Sequence, residues 1–203
     1  MAKVFDTLEP RLVEWIGRQR VFFVGTAPVD GGNVNVSPKG PIETLRVLGP
    51  ATVAYLDFVG SGIETVAHLK DDGRIVIMLC AFEGPPRIVR LHGRGRVVEP
   101  GDPELEPLLD LFSLEPDTVE SAMARSVIVI DVERISDSCG FGVPLMEYAG
   151  RRTQQLDWGE RKLRESPDAL RVYEGAHNAL SIDGLPGLRA AHEGVREVGD
   201  AAP

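Results

Sequence analysis

What most constrains this chain is the order of its apolar segments. Strand-like runs follow one another at short intervals, and turn signals rather than helices separate most of them. Residues 21–26 read as a buried strand, Asp30-Gly31-Gly32-Asn33 as a turn, and residues 34–37 as the returning arm of a hairpin. Residues 45–48 and 52–57 flank Gly49-Pro50 in the same way, and residues 74–81, nearly all apolar, suit a central strand. Residues 88–98 form a long strand and residues 126–132 the last one. That makes about seven strands, mostly in hairpin succession. Regular strand–helix alternation is missing, so a doubly wound parallel sheet is excluded and a closed or split antiparallel barrel is expected.

The helices are excursions from this pattern. Leu8, Leu12, Trp15 and Ile16 recur at helical spacing behind Asp6-Thr7-Leu8-Glu9, predicting a capped helix over residues 6–19. Ser61 and Glu64 have the spacing of a second capping box, opening a helix that ends near Gly73. Asp102-Pro103 and residues 116–124 start two more. Past Gly150 charge rises and β-branched residues thin out. Residues 156–165 and 167–176 read as helices, the second capped by Ser166; residues 179–185 are apolar enough to dock; fraying is expected from Arg189. The chain thus divides at 1–149, a barrel, and 150–203, a helical extension packed on the barrel or on a partner.

Charge and composition remove several functions. The formal charge is −9, from 31 acidic and 22 basic residues, which argues against nucleic acid and anionic membrane surfaces as partners. No apolar run has the length of a membrane span, and no signal peptide is apparent, so the cytoplasm is the expected location. Cys80 and Cys139 have no metal or redox spacing and are expected to be reduced. The four histidines show no ligand spacing, and no serine sits in a nucleophile-elbow context, so neither a metal site nor a hydrolase triad is expected.

Two segments carry chemistry. Val34-Asn35-Val36-Ser37-Pro38-Lys39-Gly40 ends a strand in a lysine; Tyr55-Leu56-Asp57 runs through Gly60-Ser61-Gly62 to a helix start at Glu64-Thr65. Together they offer a mobile cation, hydroxyls and free backbone N–H groups, the parts that hold a phosphate. From the residues alone, Lys39 is balanced between a phosphate clamp and a solvated strand end. Arg90, His92, Arg94 and Arg96 alternate, so they share one face of a strand; Arg90 and His92 are the candidates for a ligand or subunit contact. Gly93 and Gly95, on the other face, leave room for another backbone or a flat ring.

Across residues 5–135 the chain resembles pyridoxamine 5′-phosphate oxidase-like proteins with the flavin-binding split β-barrel. Val36-Ser37-Pro38-Lys39-Gly40, Tyr55-Leu56-Asp57 with Gly60-Ser61, and Ile88-Val89-Arg90-Leu91-His92-Gly93 carry the resemblance. Cys80-Ala81-Phe82-Glu83-Gly84-Pro85-Pro86 and Ser138-Cys139-Gly140-Phe141-Gly142-Val143-Pro144 point to an uncharacterised bacterial subgroup. The resemblance implies a mainly β fold, an antiparallel split barrel of the FMN-binding type. It further implies a homodimer with FMN at the seam and an oxidoreductase acting on a small-molecule substrate or electron donor. Ser37, Pro38, Lys39 and Gly40 would line the flavin or its phosphate, Tyr55 and Asp57 the ring, and Ser61 and Thr65 the phosphate. Arg90 would reach across from the other subunit. It names no catalytic acid or base. The oxidase proper has serine-arginine-lysine where this chain has Ser61-Gly62-Ile63, and its C-terminal arginine- and tryptophan-rich segment has no match here. A deazaflavin in place of FMN, or a non-catalytic binding or sensor barrel, are the alternatives.

Overall fold

The longest strand, β8 (Ala124–Ser138), is the spine of the molecule. Its β-branched residues alternate between two apolar surroundings. Ile128 and Ile130 face one cluster and Val127 and Val129 another, each largely withdrawn from water. Burying a side chain of this kind stabilises by roughly 2 kcal/mol, so a strand apolar on both faces must sit in the middle of a covered sheet. The structure is a computed structural model and describes residues 3–189.

Around β8 lie β1 (Lys3–Phe5), β2 (Phe22–Thr26), β3 (Asn35–Lys39), β4 (Leu45–Gly49), β5 (Thr52–Phe58), β6 (Arg74–Cys80) and β7 (Ile88–Val98). All pairings are antiparallel. The order is β3-β2-β6-β7-β8-β5-β4, with β1 beside the far end of β8. The end strands β3 and β4 do not pair with each other. Side chains bridge the gap instead: the Phe22 ring meets Tyr55 edge-on at 5.5 Å, and Lys39 reaches Asp57. The sheet is therefore a split β-barrel, and the split is where polar residues collect.

Helices close the open faces. They are α1 (Pro10–Gly17), α2 (Glu64–Asp71), α3 (Leu105–Leu109), α4 (Val119–Met123), α5 (Gln154–Glu165) and α6 (Ala169–His177). Leu12 and Ile16 of α1 and Val66 and Leu69 of α2 enter the barrel core. Leu105 of α3 covers the outer cluster with Ala54 and Leu56. Beyond residue 150 the chain packs on its own barrel. Gly159 of α5 lies against Met123, where a Cβ would collide with the Met123 sulfur, and Leu170 of α6 joins Val59 and Met123. Trp158 meets Tyr173 edge-on at 4.8 Å in the same cluster.

Three expected caps are corrected. The first helix starts at Pro10 with Glu9 ahead of it and no side-chain cap, because proline supplies the first position without an N–H to satisfy. The Asp102 carboxylate accepts from the Glu99 N–H and from Arg189, so it is unavailable to α3, which begins at Leu105. Asp168, rather than Ser166, precedes α6. Gly93 and Gly95 do leave space, but residues of this chain fill it: the Asp131 backbone at Gly93 and the Leu69 side chain at Gly95. Fraying was expected from Arg189; Arg189 itself is held by Glu99 and Asp102, and the residues after it lie outside the described ones.

Candidate functional site

The inner face of β3 is polar. Asn35, Ser37 and Lys39 fall at every second position and point into the split, while Val36 and Pro38 point out. Pro38 is accommodated within the strand because β3 is an edge strand, where a missing N–H costs no ladder bond. Opposite lies β5, whose Tyr55 and Asp57 share the inward parity and are almost fully buried.

Asp57 is the centre of the site. One carboxylate oxygen accepts from the Lys39 ammonium at 2.8 Å, the other from the Arg125 guanidinium at 2.7 Å. Burial alone would raise its pKa, but the adjacent Arg125 and Lys39 charges win and hold it at about 2. Two cations surround this one carboxylate, and the Glu64 carboxylate at the start of α2 balances the count. Arg125 escaped the sequence reading, which began the last strand at Ser126. It is the extra residue of a β-bulge, since Asp57 pairs with Ser126 and Phe58 with Ala124. A bulge re-aims a side chain, and here it turns an arginine from the outer face toward Asp57.

Arg125 also fixes the loop between β5 and α2. It donates to the Gly60 and Gly62 carbonyls at 3.3 and 2.8 Å and to the Asn178 side-chain oxygen at 2.8 Å. Asn178, fully buried in the C-terminal extension, returns a bond to the Gly60 carbonyl at 2.9 Å. The start of α2 differs from expectation. Ser61 does not cap it; Ile63 precedes the helix, and the Glu64 carboxylate accepts from the Ile63 N–H at 3.1 Å. A carboxylate thus occupies the positive end of the helix dipole.

These elements enclose a cavity of about 310 Å³ whose lining includes Ser37, Pro38, Lys39, Gly40, Asp57 and Thr65 together with Glu64, Arg125 and Gln155. Six of the nine expected binding residues therefore meet in one place. Ser61 faces a neighbouring recess with Val34, Val36 and Ile182. Tyr55 lies behind the wall. Its hydroxyl has no hydrogen-bond partner, and burial, reinforced by Asp57, pushes its pKa well above the usual phenol value. Arg90 is elsewhere in the protomer, donating to the Ser138 hydroxyl. Beneath the cavity runs a polar chain that the sequence reading missed. Ser37 donates to Asn35, Asn35 to Thr26 and Thr65, and Thr26 meets Nδ1 of the fully buried His68 at 3.0 Å. Asn35 was within reach of sequence, because it sits two and four residues before Ser37 and Lys39.

The donor set suits a phosphate monoester. Lys39 and Arg125 both line the cavity, Asp57 and Glu64 balance their charge, and the Thr65 oxygen accepts from Asn35, which leaves its own proton to donate. A volume near 310 Å³ is at the small end for organic ligands. It suits the phosphate end of a nucleotide-like cofactor, with any large ring on the open side. Among the described residues no group of three or more His, Cys, Asp or Glu is placed to hold a metal ion, and no helix is long and apolar enough to cross a membrane.

The family model for pyridoxamine 5′-phosphate oxidase matches residues 8–139. The chain belongs to the pyridoxamine 5′-phosphate oxidase family. A relative described as a pyridoxamine 5′-phosphate oxidase family protein, ustO of Aspergillus flavus, is 36% identical over 209 positions, covering 97% of this chain and 80% of its own. Solved structures similar to this chain include HupZ of Group A Streptococcus (22% identity, 63% of this chain and 90% of that one, TM-score 0.48). An FMN-binding protein of Syntrophomonas wolfei (18%, 66% and 85%, TM-score 0.46) is another. A FAD-binding protein of Mesorhizobium loti (16%, 68% and 96%, TM-score 0.44) is a third. The family match spans β2 to β8, leaves out β1, and stops before α5.

Proposed function

We propose that this member of the pyridoxamine 5′-phosphate oxidase family is a flavin-dependent oxidoreductase that holds FMN by its phosphate in the Lys39–Asp57–Arg125 cavity. The convergence of the Lys39 ammonium, the Thr65 hydroxyl and the Arg125-braced Gly60–Gly62 loop on one cavity carries the reading. A bound FMN would supply the redox chemistry. Lys39 would leave one face of Asp57 to meet the phosphate, Thr65 would donate its hydroxyl, Ser37 would do so on turning its proton away from Asn35, and Arg125 would keep the loop at Gly60–Gly62 in place. The seam of a homodimer would cover the open side, with Arg90 contributed by the other subunit. The substrate would be a small molecule, the location the cytoplasm, and residues 150–203 an extension of a barrel domain ending at 149.

One observation favours a second reading. Glu64 brings a negative charge to the start of α2, directly after Gly62-Ile63, where the oxidase proper carries two cations, which suits a barrel that binds weakly or binds a related deazaflavin. The test is the spectrum of purified protein and its thermal shift with FMN. Yellow protein, or a saturable rise in melting temperature with FMN, is the expected result. Lys39→Ala should then weaken FMN by about 1–3 kcal/mol, the size of one charge-assisted bond. Colourless protein with no shift would reject the FMN reading, and a shift with a deazaflavin alone would select the variant.

A further inference from the structure

We propose that a second cavity, at the opposite end of β8 from Asp57, binds a flat aromatic anion. This cavity has a volume of about 960 Å³ and shares no lining residue with the first. It stands on its own geometry and does not depend on the flavin reading.

Its walls combine rings with guanidinium groups. Arg87 lies 4.8 Å from the Trp15 ring centre, and Arg20 lies 4.6 Å from that of Tyr148. Phe82 and Met146 add apolar surface. Four cations (Lys3, Arg18, Arg20 and Arg87) line it against three carboxylates (Glu83, Asp137 and Glu147), and Arg18 is further paired with Glu14 at 2.6 Å. The cations are not equivalent. Arg87 is committed to Asp137 at 2.8 Å and stiffens the Trp15 wall. Arg20 is half exposed and only 3.7 Å from the Glu83 carboxylate, a loose pair that an incoming anion can replace.

The cavity is also preformed. Residues 139–150 contain no helix or strand, yet they are pinned. Gly140 sits so close to the Arg87 backbone that a Cβ would lie 2.7 Å from the Arg87 nitrogen, and Met146 donates its N–H to the Phe82 carbonyl at 2.9 Å. Elsewhere in the same segment, Phe141 and Leu145 stay about four-fifths exposed, at 83% and 78%. Aromatic faces with one exchangeable guanidinium and apolar edges match a planar ring bearing a single carboxylate or sulfonate.

Trp15 reports on the site, because the chain has only two tryptophans and Trp158 is in the extension cluster. In Trp158→Phe protein, titration with 2-naphthoate should change Trp15 emission saturably, while 2-naphthalenemethanol, without the charge, should bind about tenfold more weakly. Arg20→Ala should weaken naphthoate about three- to fivefold, the size of one exposed cation–π or charge contact, with an unchanged melting temperature. Calorimetry on the unsubstituted chain repeats the measurement if Trp158→Phe does not fold, and excess FMN should leave naphthoate binding in place. No saturable signal by either method, equal affinity for the neutral alcohol, indifference to Arg20→Ala, or displacement by FMN would each overturn the proposal.

Discussion

Asp57 keeps its negative charge where burial alone would remove it. A folded pKa near 2 against an ordinary 3.8 means that the folded barrel binds this proton more weakly than the open chain. The resulting stabilisation, about 2 kcal/mol, is complete above pH 4 and disappears as pH falls from about 4 to about 2. Urea unfolding across that range should show the loss. In Asp57→Asn protein this share of the acid dependence should be absent; an identical pH profile would mean that the buried pair does not govern it. The same residue shows what sequence could and could not supply. Lys39 and Asp57 were visible as a strand-end lysine and a strand carboxylate. Their pairing was not visible, because it depends on the sheet curling until its ends face each other. Arg125 was hidden for a sharper reason: a bulge reverses the side that periodicity assigns to it.

At the scale of elements, the loop between β5 and α2 is held from outside the barrel. Asn178 follows α6, more than a hundred residues along the chain, and it satisfies both the Gly60 carbonyl and one guanidinium N–H of Arg125. Asn178→Leu keeps the approximate volume and removes both bonds. Leaving a buried guanidinium donor unpaired should cost about 1–3 kcal/mol in chemical denaturation. FMN affinity should fall with it, since the loop that faces the phosphate loses its brace. Full affinity in that variant would show that the loop holds its shape alone. Sequence gave the two helices of this region within a few residues but no reason to connect them to the site. Helical periodicity reports which face is apolar, whereas a single buried asparagine after a helix leaves no periodic trace.

For the whole molecule, the barrel and the extension share one hydrophobic cluster, built from Val59, Met123 and Leu170 with Trp158 and Tyr173 around it. The extension is also tied by charge: Lys70 and Arg189 both reach the buried Glu99 carboxylate, at 2.6 and 3.3 Å. A chain ended at residue 149 should therefore melt at a lower temperature than the full chain and bind an apolar-surface dye, read by thermal shift. An unchanged melting temperature would mark the extension as dispensable to the barrel. The fold class was legible because hairpin succession leaves few topologies for seven strands. The eighth, β1, was not, since three residues paired to the end of β8 carry no pattern of their own. How residues 150–189 dock was equally hidden, because it depends on contacts far apart in the chain.

The lone phenol in the barrel wall has a consequence at the other end of the pH scale. Its proton can leave only when solvent reaches it, so base should favour the open chain once pH exceeds the ordinary tyrosine value of 10.0. Ultraviolet titration of the native protein should accordingly show Tyr55 ionising in step with the loss of circular dichroism. Tyr55→Phe, which deletes the titrating oxygen and keeps the ring that meets Phe22, should extend the alkaline range over which the protein stays folded.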